Sequence, residues 1–152
     1  MLGIINAAAD AYRDVIPADQ WHDPYMRSHE LDVEIAASVD FWGYEADGSL
    51  VGVMGIQPVL DVDLIRHAYV LPSKQRLGVG GALLSHLRPL STRRMLVGTW
   101  AAADWAIRFY QRHGFELIEP ECGVALLRSY WMIPERQIET SVVLESAPPV
   151  GA

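Results

Sequence analysis

Seven consecutive residues, Gln75-Arg76-Leu77-Gly78-Val79-Gly80-Gly81, carry the clearest chemistry in this sequence. They follow an apolar run from Leu64 to Val70 that reads as a strand, and they lead into Gly81 to Leu87, which reads as a helix. A glycine-rich turn between strand and helix leaves backbone N–H groups without acceptors at the positive end of the helix dipole. Such a turn is a seat for phosphate oxygens. Gly78 and Gly80 permit a close approach of backbone to ligand and a positive φ. Two familiar phosphate loops do not fit. A dinucleotide fingerprint needs a small residue where Leu83 stands, and an acidic one about 20 positions on, where Met95 to Trp100 is apolar. A Walker A loop ends in Gly-Lys-Ser/Thr, whereas the sole lysine, Lys74, precedes the glycines.

A second segment lies about thirty residues further on: Ala106-Ile107-Arg108-Phe109-Tyr110-Gln111-Arg112-His113-Gly114-Phe115-Glu116. Helical spacing puts Ala103, Ala106, Ile107 and Tyr110 on one face, so small residues leave room beside a phenol. Together the two segments resemble the GNAT N-acetyltransferase superfamily, whose pyrophosphate loop reads Gln/Arg-x-x-Gly-x-Gly/Ala and whose later helix carries Phe-Tyr-x-x-x-Gly-Phe. The resemblance covers about Asp40 to Leu144 and is strongest over 68–84 and 103–116.

That resemblance implies acetyl-CoA as co-substrate. The pantetheine arm would pair with the backbone of Ala68, Tyr69 and Val70, and a backbone N–H near Val70 would face the thioester oxygen. The pyrophosphate would lie on the loop Gln75, Arg76, Leu77, Gly78, Val79, Gly80 and Gly81, with Ala106 and Phe109 also against the cofactor. Tyr110 would protonate the departing thiolate. An Asn common in the family falls at Ala103 here, so one cofactor hydrogen bond, worth about 1 kcal/mol, is missing. The base stays open among Asp61, Asp63 and His67, which share one face of an ideal strand. His67 is favoured because histidine changes protonation near neutrality. The acceptor pocket is expected among Trp21, His22, Tyr25, Trp42, Tyr130, Trp131 and Glu135, and Tyr130 to Thr140 resembles a signature of uncharacterised microbial GNAT proteins.

The elements needed to position these residues are also legible. Helices are expected over Ile4–Val15 and Tyr25–Ser38, and strands over Phe41–Glu45 and Leu50–Gln57, joined by the Asp47-Gly48 hairpin turn, with Pro58 as an interruption. The loop-feeding strand runs from Asp61 to Val70. A helix at Val79–Leu87, a strand at Met95–Thr99, a helix at Ala103–His113 closed by Gly114, and a short strand at Phe115–Ile118 follow. A helix at Cys122–Trp131 and a strand at Ile138–Leu144 complete the chain. The expected class is α/β, a mixed central sheet with helices on both faces, in one domain over 1–144 with a disordered tail over 145–152.

Composition narrows the function classes. The chain has 152 residues, 51% of them hydrophobic, and a net charge of −7. That charge argues against a nucleic-acid partner, and no apolar stretch reaches membrane-spanning length. The one cysteine, Cys122, forms no internal disulfide and is expected to be a buried hydrophobe; a cytoplasmic setting fits. No metal is expected, and a homodimer is compatible with the five tryptophans. The reading favoured is transfer of the acetyl group of acetyl-CoA to a primary amine of a small molecule or peptide, by direct attack through a tetrahedral intermediate. A non-catalytic acyl-CoA sensor or regulatory protein with the same fold is the alternative.

Overall fold

The computed structural model describes residues 1–146. Six strands form one sheet in the order β1-β2-β3-β4-β6-β5, where β1 is Asp40–Ala46, β2 Ser49–Val59, β3 Val62–Val70, β4 Arg94–Trp100, β5 Glu116–Leu117 and β6 Ser141–Ser146. All neighbours are antiparallel except β3 and β4. A parallel pair needs a crossover, and α1 to α6 include the helix that supplies it: α1 Leu2–Ala9, α2 Ser28–Ala36, α3 Val79–Leu87, α4 Asp104–Arg112, α5 Pro120–Tyr130 and α6 Glu135–Glu139.

The sheet is covered on both faces. Helix α3, with Tyr110 of α4, packs on Val51, Met54, Ile65, Met95 and Val97. On the other face α1 and α2 cover Val53 and Tyr69, while α5 and α6 cover Val62, Leu64, Leu96 and Val143. Buried apolar side chains alternate along β3 until Ile65, which fixes its register between β2 and β4.

Two irregularities shape the centre. The β2–β3 register shifts so that Met54 opposes both His67 and Ala68, and His67 takes φ 54°. This bulge defeats period two. Arg66 and His67 both turn towards α2, where each meets Glu34, while Asp63 lies on the opposite face with Ile65. The expectation that Asp61, Asp63 and His67 share a face is therefore corrected. Second, β3 and β4 pair only over Val62–Ile65 and Arg94–Val97. Beyond this β3 stays with β2 and β4 with β6, so the two strands part and a wedge opens between them.

Several boundaries differ from expectation. Helix α1 stops at Ala9, and the tighter turn Asp10–Tyr12 brings Tyr12 against Tyr69 and Trp105. Helix α2 begins at Ser28 rather than Tyr25, because the Glu30 carboxylate accepts the Arg27 N–H at 2.6 Å and closes the first turn. Pro58 does not interrupt β2: β1 pairs only as far as Ile56, so the missing N–H falls on an unpaired edge. Ile138 belongs to α6, not to the last strand, its apolar side chain being buried from a helix opened by Pro134. Strand β6 includes Glu145 and Ser146, both assigned to a tail by sequence; the rest of that tail lies outside the described residues. Cys122 is exposed on α5, not buried.

Candidate active site

The glycine loop stands where the sequence puts it, between β3 and α3. Gly78 is the residue before the helix and has φ 82°, a left-handed conformation that suits glycine. The first intrahelical bond runs from the Ala82 N–H to the Gly78 carbonyl at 2.9 Å, so the N–H groups of Val79, Gly80 and Gly81 lack intrahelical acceptors. No side chain caps this helix. Gly80 has a further reason to be glycine: a Cβ there would meet the Phe109 ring at 3.2 Å, so its absence lets α4 close on the loop. The Gln75 amide donates to the Val70 carbonyl at 3.2 Å and folds the loop back on the end of β3.

The wedge between β3 and β4 opens into a second cavity, while from this loop a cleft of about 530 Å³ runs between the end of β3 and α4. Ala68, Tyr69, Val70, Gln75, Arg76, Gly78, Val79, Gly80, Gly81, Ala106 and Phe109 all line it. Leu77 does not; its side chain is exposed. Lys74, Arg76 and Arg112 give the cleft a cationic rim in a chain of net charge −7.

The inner end of the cleft meets the second cavity, of about 140 Å³, and four residues line both: Tyr12, Ala68, Tyr69 and Tyr110. Tyr110 is buried on α4 and holds its ring near Phe109 and Phe115. Its phenol is pushed well above the ordinary value by burial, with Tyr12 adding to the shift. Burial, then Tyr25, pushes Tyr12 up to about 12, opposed by bonds from Trp105 and Thr99. Tyr69 is likewise held far up by burial and by Tyr25, whose hydroxyl accepts its proton at 3.4 Å. These phenols are neutral at physiological pH, and all three line both cavities.

His67 lines the second cavity, as do Tyr25 and Trp131. Its buried Nε2 lies 3.4 Å from Glu34 Oε2, close enough for charge attraction but not aligned as a hydrogen bond. His67 is the main cause that lowers the Glu34 carboxyl, against burial, with Arg66 assisting. Asp63 is instead tied to Ser91 at 2.5 Å, and Asp61 accepts the Tyr130 hydroxyl at 2.6 Å; neither lines either cavity. Trp42, exposed on β1 and packed on His86, stands apart from the cavities, and so does Glu135, paired with Arg128. Trp21 and His22 stack on Tyr25 without lining the cavity themselves. Ala103 is fully buried at the start of α4 and offers no polar side chain to the cleft.

Sequence reasoning missed Tyr12 and the side chain of Tyr69. Tyr12 sat in a stretch read as regular helix, and Tyr69 was valued for its backbone only. An aromatic flanked by Ala8 and Ala11 was the available signal for Tyr12. Among the described residues no group of three or more His, Cys, Asp or Glu is placed to hold a metal, and no described helix is long and apolar enough to cross a membrane.

The model of the acetyltransferase (GNAT) domain matches residues 37–117, just over half of the chain and the whole span from β1 through the loop to β5. The chain belongs to the GNAT acetyltransferase family. Among solved structures it is similar to the PaiA N-acetyltransferase of Thermoplasma acidophilum in complex with coenzyme A. The TM-score is 0.73 and the identity 14%, over 96% of this chain and 89% of that one. It is also similar to a GNAT family acetyltransferase of Elizabethkingia anophelis with acetyl-CoA bound (TM-score 0.61, 19% identity, 87% of this chain and 90% of that one). A third is the ribosomal-protein-S18-alanine N-acetyltransferase of Escherichia coli, with TM-score 0.65 and 17% identity over 88% of this chain and 84% of that one. At such identities the likeness speaks for the fold. A search by sequence among curated proteins gives no match.

Proposed function

We propose that the protein transfers the acetyl group of acetyl-CoA to a primary amine. The observation that carries this reading is the continuity of free helix N–H groups, the end of β3 and a buried phenol: one cleft joins the α3 N-terminus to Tyr110, which also lines the cavity in the wedge. Two structural neighbours, the Thermoplasma and Elizabethkingia proteins, hold CoA or acetyl-CoA, which supports the same ligand here.

The residues fit that ligand. Val79, Gly80 and Gly81 would hold the pyrophosphate through their N–H groups, with Arg76 and Arg112 as counter-charges. The unpaired side of Ala68–Val70 would hold the pantetheine amides. The amine nitrogen attacks the thioester carbon from the second cavity, the C–S bond breaks, and one amine proton is lost. The resulting thiolate gains a proton from Tyr110. A phenol raised by burial is a weak acid in water, but the thiolate forms in the same dry place, which raises its proton affinity by the same cause. His67, beside Glu34, is the side chain in the second cavity suited to take the amine proton. His67 then gives that proton up to solvent, and Tyr110, left as a phenolate, regains one from solvent before the next turnover.

The alternative, an acyl-CoA sensor without turnover, is favoured by one observation: Ala103 supplies no side-chain hydrogen bond where the family commonly has Asn. Calorimetric titration with acetyl-CoA, with NADH and ATP as controls, tests the shared premise. Selective micromolar binding is expected, and failure to bind would remove both readings. Release of CoA thiol on adding an amine then separates enzyme from sensor.

A further inference from the structure

We infer that the acceptor is a small aryl or arylalkyl primary amine carrying no second charge, a substrate class that rests on the acetyltransferase reading and narrows it. Three observations carry this. The first is size. The second cavity measures about 140 Å³, close in volume to the roughly 150 Å³ that takes up one benzene, with Thr99, Gln137 and Ser141 adding polar groups to its walls. It admits a single ring with its aminomethyl or aminoethyl arm, and it is too small for an extended peptide segment.

The second is the character of the walls. Tyr12, Tyr25, Tyr69, Tyr110 and Trp131 supply ring surface, with Leu127 at the inner side. Trp131 is seated firmly because residue 98 is glycine: a Cβ there would stand 3.3 Å from the indole. Flat walls of this kind suit a planar guest held by edge and face contacts.

The third is charge. Among the described residues no carboxylate lines this cavity. Its guanidinium, Arg66, is already engaged by Gln57 Oε1 at 2.8 Å and by Glu34 Oε2 at 3.2 Å. A polyamine or a basic peptide would bring second and third ammonium groups into a site with nothing to neutralise them, at a cost of desolvation. A monoamine brings one, which ring faces can attract. Moving that single ammonium out of water favours its neutral form, so the walls themselves help to release the nucleophile and ease the demand on His67. The transfer leaves the N-acetyl arylalkyl amine and CoA as its free thiol.

A panel of benzylamine, 2-phenylethylamine, butylamine, spermidine and a short peptide with a free N-terminus tests this, with CoA release and product mass as readouts. The aryl amines are expected to exceed spermidine and the peptide at least tenfold in kcat/KM. Spermidine or the peptide acetylated as well as benzylamine would overturn the inference and leave the acetyltransferase reading intact. Should no amine be acetylated, that reading fails, and calorimetry of benzylamine against the CoA-loaded protein decides this one. Binding that saturates with one site supports it, and no binding overturns it. Trp131→Ala is a second handle. It is expected to lower kcat/KM for benzylamine about tenfold through KM and to admit a naphthyl amine the parent rejects. An unchanged ratio between the two amines would contradict the wall assigned to Trp131.

Discussion

At the scale of single residues the account turns on three phenols and one carboxylate. Tyr110→Phe keeps the ring packing against Phe109 and Phe115 and removes only the proton. It is expected to lower kcat by roughly 10²-fold with acetyl-CoA affinity nearly unchanged, as steady-state rates and calorimetry would report. Tyr12, Tyr69 and Tyr110 all ionise with more difficulty folded than unfolded, burial being the first cause of each shift. A raised acid group favours the folded state while the unfolded group stays neutral. That contribution is therefore complete below pH 10 and is lost as pH rises from 10 through about 12, the folded value of Tyr12. Melting temperature should fall over this window, and phenolate absorbance of these three should appear together with unfolding rather than before it. Glu34 has the opposite sign. Its carboxyl is held below its ordinary 4.5, so its stabilising effect is present above that value and is lost as pH falls through the lower folded one. Thermal melts of Glu34→Gln should show a shallower loss than the parent as pH falls below 4.5, tempered by the partial exposure of the pair.

At the scale of elements, the loop between β3 and α3 is the part most sensitive to backbone change. Gly78 holds φ 82°, where a β-branched residue is badly strained. Gly78→Val is expected to cost about 1–2 kcal/mol, which for a chain of this size lowers the melting temperature by roughly 3–6 °C. It should also weaken acetyl-CoA at least tenfold, as differential scanning and calorimetric titration would measure. That loss of stability with acetyl-CoA affinity intact would contradict the place given to the loop. This segment, the Asp47-Gly48 turn, the Phe109-Tyr110 helix face and the Gly114 cap were legible in the sequence, because each depends on neighbours within one turn of chain. The succession of six strands along the chain was likewise anticipated, though not their order in the sheet. What was not legible depends on partners far away. The bulge that turns His67 to the face opposite Asp63 lies across from Met54 on the adjoining strand, and no local pattern marks it. The short turn that delivers Tyr12 and the short helix α6, whose Ile138 was expected to open the last strand, are set by what they pack against. For the same reason the glycine loop could be read from the chain, while of the aromatic walls expected to hold an acceptor only Tyr25 and Trp131 proved to line the second cavity.

At the scale of the whole molecule, a net charge of −7 surrounds a cleft whose rim is Lys74, Arg76 and Arg112. The polyanionic end of acetyl-CoA, if seated there as proposed, would meet a local field opposite in sign to the global one. Raising ionic strength from about 0.05 M to about 0.5 M should weaken acetyl-CoA binding roughly three- to tenfold and leave the melting temperature of the free protein little changed. Arg112→Gln should reduce that salt dependence. The edge strand β1 exposes Trp42 and Tyr44 on the far side of the sheet from β5, away from the wedge.

The central claim is that one cleft binds acetyl-CoA and delivers its acetyl group past Tyr110 to an amine. The most direct measurement is a paired assay of CoA thiol and N-acetylated benzylamine in the same reaction, for the parent and for Tyr110→Phe. The account predicts equal amounts of the two products with the parent and a slowed, still one-to-one release with the variant. Thiol release without acetylated amine, or a variant as fast as the parent, would contradict it.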